Sequence, residues 1–495
     1  MGDLERRDFL KKSVLGGLGG VLLKTSDGQK KINEANDKPR ERPIAKPRVS
    51  KKVIVAGGGI SGLCCAYELM KKGHEVVVLE AAGRYGGTVL SVHDGLADGL
   101  YADFGAENFT KPGYEHYWKY IEEFKVPVIQ YFHREKRLTR VENQWLSSDK
   151  MREQRAEKAK KAGGFTDREL KFLAAYPSSS LEVLFLRPYF DKFTNEYQPF
   201  GIGYDQLENI PVSEIYKKEG ASQAAMNMLG GSQSSALYTI WQAYIMDKRG
   251  YGVGYDLYRL KGGNQVMPTE FAKRLGERVR LDCKVMAIEH GQTGVTVKYK
   301  EYGEDKTMSA DYLVCCLRTP VMRNIAITPE LPEAKRFVVD NLTFEQTTRV
   351  IFQAKSAFWE EDNTSINLTY NHPALRTIWR VAEEVDTHRV ALMAKAPGGT
   401  NPLRTLEAFK ELYPGKKSSI NIEQTLVKDW AADPYAHGCE RFGFAALGGL
   451  SKYWPHTMEP FGRIHFAGGH TDNRSWGMEA ATNSANRAAQ EVDQA

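Results

Sequence analysis

The run Gly57-Gly58-Gly59-Ile60-Ser61-Gly62 has the residue types and spacing to hold a diphosphate. Gly57 allows a tight turn, Gly59 lets the main chain approach a pyrophosphate, and Gly62 lets a following helix pack closely on the preceding strand. Ile60 and Ser61 lie in the loop leading into that helix, whose free N–H groups and positive dipole end suit phosphate oxygens. Glu80 then offers a carboxylate to adenosine ribose hydroxyls and disfavours a 2′-phosphate. The chemistry implied is dinucleotide binding.

The elements that must position these residues are legible around them. Lys52 to Ala56 is a short β-branched run that reads as a buried parallel strand. Leu63 to Lys72 is helical in pattern and ends at Gly73, and Glu75 to Leu79 forms a second strand finishing on Glu80. Strand, loop, helix, strand and acid follow in order, which predicts a Rossmann-like α/β domain.

The 495 residues leave room for two substantial domains. Apolar residues make up 42% and charged residues 26%, the balance of an ordinary globular protein. The net charge of +6 is small for this length and falls partly in the first fifty residues, so no nucleic-acid partner is expected. No zinc spacing occurs, and no metal is expected. The six cysteines are too few and too clustered for a disulfide framework. Cys64-Cys65 and Cys315-Cys316 lie in apolar runs and read as buried small hydrophobes.

At the start, Glu5-Arg6-Arg7-Asp8-Phe9-Leu10-Lys11 precedes a short, glycine-rich apolar run from Ser13 to Leu23. This resembles a twin-arginine export signal and implies the twin-arginine machinery as a partner, with a periplasmic or secreted destination. Glu5 stands where such signals usually have Ser or Thr. Lys24 to Ser50 is charged and proline-containing and reads as a disordered tether, so residues 1–50 are set apart from the fold.

Beyond Glu80, Ala81-Ala82-Gly83-Arg84-Tyr85-Gly86-Gly87-Thr88 resembles the second glycine motif of the flavin amine oxidase superfamily. Thr88 stands where most members have arginine. The resemblance continues at Tyr101 to Phe109, at Lys261-Gly262-Gly263-Asn264, and at Arg280 to Glu289. It resumes at Ala310 to Pro320, and at Gly462 to Gly468 with the helical Met478 to Ala485. It covers about residues 52–490 and implies FAD as cofactor. It also implies that Arg84, Gly86 and Gly87 face the pyrophosphate, that the backbone of Val285 meets the adenine, and that Gly468, Gly477 and Met478 lie at the flavin end. A helix N-terminus there stabilises negative charge on the reduced ring.

The implied fold is α/β: a discontinuous Rossmann-like FAD-binding domain (51–115, 258–325 and 455–495) interleaved with an α+β substrate domain (116–257 and 326–454). Helices are expected over Tyr114 to Phe124 and Glu153 to Lys161. Strands are expected over Thr348 to Gln353 and Arg389 to Ala394.

In this family the cofactor does the hard chemistry while the protein positions the substrate carbon, so few side chains qualify as catalytic. Arg349 falls where many members hold a lysine that bonds a water at the flavin; arginine keeps the charge and can bind a carboxylate. Cys439 falls where monoamine oxidases carry a thioether to FAD, and Glu440 replaces a cage tyrosine. Gly477 takes the place of the other cage aromatic, with Trp476 one residue earlier and able to wall the pocket in its stead. The arginine that L-amino acid oxidases use for the substrate carboxylate falls near Asn108, which leaves Arg349 or Arg474 as the anchor.

The expected reaction removes a hydride from the carbon next to an amine, giving an imine and then an aldehyde or keto acid with ammonia. Electrons pass to oxygen, with hydrogen peroxide as product, or to a respiratory acceptor. Oxidation of L-amino acids is one alternative and a carotenoid- or porphyrinogen-type desaturase another. A flavin-binding module without turnover is a third.

Overall fold

The structure, a computed structural model, describes residues 49–131, 138–141, 144–177, 179–230, 232–251, 255–360, 366–413 and 420–495. The expected export signal and most of the expected tether lie outside the described residues.

The nucleotide half is built on β1 (Lys52–Ala56), α1 (Ile60–Lys71), β2 (Glu75–Leu79), β3 (Val279–Arg280), β4 (Tyr312–Cys315), β5 (Ile464–Phe466) and α2 (Gly477–Gln494). The five strands form one parallel sheet in the order β3-β2-β1-β4-β5. In β1, Ile54 sits opposite Val77 of β2 and Leu313 of β4. Val53 to Ala56 are all buried, because a parallel strand is covered on both faces and reads as a continuous apolar run. Val53 and Val55 pack against α1 and α2, whereas Ile54 and Ala56 pack on the other side with Cys283, Val285 and Val297.

Ala481, Ala485, Ala488 and Ala489 of α2 lie in one core with Leu63, Cys64 and Ala66 of α1. Side chains this small let two helix backbones come close and gain dispersion contacts along their length. Glu479 in the first turn of α2 is fully buried. Its carboxylate accepts from the backbone N–H of His116 (3.2 Å) and of Tyr117 (2.9 Å), at the start of the helix Glu115–Phe124. Glu479 therefore ties the start of α2 to that helix, whose Tyr117, Tyr120, Ile121 and Phe124 share the same core.

A seven-stranded sheet provides the second platform. Its order is Ile422–Asp429, Thr347–Ala354, Val390–Pro397, Leu375–Val381, Leu368–His372, Leu138–Val141, Gln144–Ser147. Thr347–Ala354 is buried along its whole length rather than on alternate residues. Val350 and Phe352 face a cluster with Ala408 and Phe409 of the helix Pro402–Glu411, and Ile351 faces one with Tyr101, Phe104 and Trp379. Both faces are covered, so the strand shows no solvated stripe. The helical part, including Asp167–Ala175 and Ala236–Lys248, packs around Phe185, Leu237, Trp241 and Trp454. Thr166 and Glu169 start the first of these helices with a reciprocal capping box.

Candidate active site

At the C-terminal ends of β1, β2 and β4 lies a cavity of about 570 Å³. Its walls include Gly57, Gly59, Ile60 and Ser61 from the first loop, Glu80, and Arg84, Gly86 and Gly87 from the second. Gly468 and Gly469 close the far side. The two glycine loops touch: the Gly86 N–H donates to the Gly58 carbonyl at 2.8 Å. Gly87 has φ +61°, and a Cβ there would come 3.1 Å from the Gly59 Cα. A Cβ on Gly62 would stand 1.9 Å from the Gly57 carbonyl oxygen, so only glycine lets α1 begin this close to β1.

The Glu80 carboxylate accepts from the N–H of Gly58 (2.6 Å) and of Ala82 (2.8 Å), so it braces the loop as well as lining the cavity. Burial pushes its carboxyl up, against the pull of those two N–H groups and of Arg84. Arg84 donates to the Gly87 carbonyl at 2.8 Å. The first turn of α1 is not capped by any side chain, which leaves its N–H groups to a ligand. A glycine cradle, an uncapped helix start and an acid at the end of β2 fit the diphosphate and ribose of FAD.

A second cavity of about 340 Å³ adjoins the first across Ile60, Thr88, Arg318, Gly469, His470 and Ala481, which line both. Gly477 and Met478, at the equally uncapped start of α2, form one side of it. The sheet contributes Arg349 and, directly opposite on the neighbouring strand, Lys395. Glu107, Asn108, Tyr114, Glu345, Cys439, Glu440 and Arg441 complete much of the wall.

The charges in this second cavity are unevenly matched. Lys395 is held by Glu345 at 2.8 Å. Arg349 lies 3.9 Å from Glu107 with its guanidinium over the Trp379 ring, and two of its buried nitrogens, Nε and Nη1, have no hydrogen-bond partner among the described residues. Arg318 donates to the Gly438 carbonyl (2.8 Å) and to the Thr88 hydroxyl (3.3 Å), tying the loop that carries Cys439 and Glu440 to the second glycine motif. Burial pushes both the Cys439 thiol and the Glu440 carboxyl up, partly offset by Arg349, Arg318 and Lys395. Burial also holds the His470 imidazole down at about 3, helped by Arg318 and Arg441, so it is neutral at any working pH.

Among the residues singled out from sequence, Gly57, Gly59, Ile60, Ser61, Glu80, Arg84, Gly86, Gly87 and Gly468 line the first cavity. Arg349, Cys439, Glu440, Gly477 and Met478 line the second. Gly62 stands behind the first cavity as a packing position. Val285 lies in the strand Cys283–His290 with its side chain buried, outside both linings.

Trp476 is not among the residues lining either cavity. It is the N-cap residue of α2 at φ −118°, and its ring packs on Tyr251, with the guanidiniums of Arg249 and Arg474 each 4.9 Å from its centre. Arg474 is also outside the lining and donates to Gln242 at 3.0 Å. Lys395, Glu345, Tyr114, Arg318, Arg441 and His470 were not singled out from sequence. Arg318 alone had a local signal, as it follows Cys315-Cys316-Leu317 at the exit of β4.

A parallel sheet with a glycine cradle, continued into a charged cavity under a second helix start, defines a flavin-dependent oxidoreductase. The sequence profile of the family described as flavin containing amine oxidoreductase matches residues 60–493, and the chain belongs to that family. It is a flavin-containing enzyme, with FAD as its cofactor. The L-amino acid oxidase of Cerastes cerastes is 24% identical over 475 residues, covering 90% of this chain and 87% of that protein. L-amino acid oxidase Bs29 of Bothriechis schlegelii is 23% identical over 473 residues, covering 90% of each. In fold, the chain is similar to cyclohexylamine oxidase from Brevibacterium oxydans IH-35A, with TM-score 0.68 and 20% identity over 90% of this chain and 99% of that one. It is also similar to wild-type putrescine oxidase bound to putrescine, with TM-score 0.64 and 18% identity over 91% of this chain and all of that one.

Proposed function

We propose that the enzyme oxidises an α-amino acid at the carbon bearing the amine, with the substrate carboxylate held by Arg349. Bound FAD supplies the hydride acceptor, and the product imine hydrolyses to a keto acid and ammonia. The observation that carries this reading is the Arg349 guanidinium. It is buried in the cavity wall with two nitrogens unpartnered and its nearest carboxylate, Glu107, at 3.9 Å. A buried cation of this kind is expensive unless an anion completes it, and a planar guanidinium matches a carboxylate in geometry. Lys395, on the same side, is already neutralised by Glu345. The first turn of α2 faces the cavity from another wall and favours negative charge there. The chain's sequence relatives that are L-amino acid oxidases support the same substrate class.

The test is anaerobic titration of the yellow holoenzyme with L-α-amino acids, D-α-amino acids and amines lacking a carboxylate, following flavin absorbance. Bleaching by α-amino acids is expected. Bleaching by simple amines alone overturns the reading. Transfer of electrons to oxygen, with hydrogen peroxide formed, is expected on admitting air.

We further propose export by the twin-arginine route, supported by Arg6-Arg7 followed by Phe9-Leu10-Lys11 and a weakly apolar run. Replacing Arg6 and Arg7 with lysine should leave the protein in the cytoplasm.

A further inference from the structure

Three carboxylates line the catalytic cavity, and two of them are engaged. Glu107 accepts from the Tyr131 hydroxyl at 2.7 Å and from the Trp379 indole N–H, and stands 3.9 Å from Arg349. Glu345 is paired with Lys395 at 2.8 Å and with Arg376 at 3.5 Å. Glu440 differs: among the described residues no side chain pairs with its carboxylate, which opens to the cavity.

The position of Glu440 is nevertheless fixed. The Glu345 N–H donates to the Glu440 carbonyl at 2.8 Å, and the Cys439 N–H donates to the Glu345 carbonyl at 2.8 Å. The carboxyl oxygen Oε1 lies 3.7 Å from the point where a Cβ on Gly477 would stand, and the Tyr114 hydroxyl lies 3.4 Å from the same point. The missing side chain at Gly477 therefore leaves a small space at the start of α2 on which a carboxylate and a phenol converge.

We propose that Glu440 is the base that takes the proton from the substrate's ammonium group. The step moves one proton from nitrogen to a Glu440 oxygen, turning R–NH₃⁺ and carboxylate into R–NH₂ and carboxylic acid. The nitrogen lone pair so freed supports loss of the hydride from the adjacent carbon. This assignment rests on the reading of the cavity as a site of amine oxidation.

The surrounding groups leave Glu440 as the proton acceptor. Lys395 is already an ammonium, paired with Glu345, and Arg318, Arg349 and Arg441 do not release protons in proteins. The Tyr114 hydroxyl, raised by burial and then by Glu440, remains a neutral donor. His470, held at about 3 by burial and the nearby arginines, is too weak a base. The Cys439 thiol is raised by burial and stays protonated. Burial and Glu345 push the Glu440 carboxyl up, while Lys395, Arg349 and Arg318 pull it down. Desolvation inside the cavity is the largest influence and raises the carboxyl, although more than a third of the residue is exposed. A base shifted toward the working pH transfers protons more effectively.

The experiment is stopped-flow reduction of the anaerobic holoenzyme, from acid to alkaline pH, in wild type, Glu440→Gln and Glu440→Asp. The wild-type rate should rise through a titration lying above the ordinary carboxylate value of about 4.3. In Glu440→Gln, reduction should slow about hundredfold or more near neutrality. The acid-side titration should vanish, and the rate should recover toward alkaline pH, where solvent removes the ammonium proton. Glu440→Asp should keep the titration at a reduced rate. FAD absorbance and affinity for a non-oxidisable carboxylate should stay as in wild type in both variants, which separates a lost base from a damaged pocket. A Glu440→Gln enzyme with wild-type rate and pH profile overturns the assignment while leaving amine oxidation intact. Wild-type flavin that no amine or amino acid bleaches overturns both.

Discussion

Along the nucleotide cavity the ligand-facing groups are largely main chain: glycine loops, an uncapped helix start and N–H groups ordered by Glu80. Across the shared residues Ile60, Thr88, Arg318, Gly469, His470 and Ala481, the wall changes character. The catalytic cavity is lined by arginine, lysine, glutamate and tyrosine side chains drawn from elements far apart in sequence. The first surface depends on backbone geometry, which tolerates almost no substitution. The second depends on which charges face each other, which can be retuned one side chain at a time.

This contrast can be broken most severely at Gly62. Gly62→Val puts carbon atoms where the Gly57 carbonyl already stands. Overpacking of this kind costs about 1–3 kcal/mol or more, concentrated where the diphosphate binds. The variant is expected to purify without yellow colour, and flavin absorbance after gel filtration checks it. Full retention of FAD would show that the loop yields more than its packing implies.

On the catalytic side, Arg349→Met should leave FAD in place. Losing a buried partner of a bound carboxylate costs about 2–5 kcal/mol, so kcat/KM for α-amino acids should fall about hundredfold or more. Oxidation of an amine without a carboxylate should change little, and the ratio of the two activities is the measurement. Equal losses for both substrates would make Arg349 a structural residue.

A smaller effect is expected at the junction. Arg318→Ala removes the charged donor to the Gly438 carbonyl and the Thr88 hydroxyl. Hydrogen bonds to charged groups contribute about 1.5–3 kcal/mol. FAD should bind about ten- to a hundredfold more weakly, and amide exchange over residues 433–440 should quicken.

The least effect is expected at Cys439. Its thiol is held protonated by burial, and a thiol in that state is a poor nucleophile. Acid precipitation should release FAD equally from wild type and from Cys439→Ala. Flavin that stays with the wild-type precipitate alone would reveal a thioether.

The same contrast explains what was legible in the sequence. Gly57, Gly59, Gly62 and Glu80 answer to constraints within one strand–loop–helix–strand unit, and their spacing carries the requirement with it. The α/β class and the flavin family could be read from such local units. Lys395 could not, because it reaches the cavity only through an antiparallel register that sets it opposite Arg349. A period of two tells which face a strand residue takes but not which strand lies beside it. Tyr114 and Glu440 come near one another only at the start of α2, beside Gly477. Trp476 packs on Tyr251 at the helix start and is not among the cavity lining, whereas the next residue, Gly477, is.

The close seating of α2 against α1 has a consequence for biogenesis. A ribosome that has made only the first glycine loop and most of the sheet has not yet produced Gly468, Gly477 or Met478. Both cavities lack part of their wall until those residues emerge: Gly468 is missing from the first, and Gly477 and Met478 from the second.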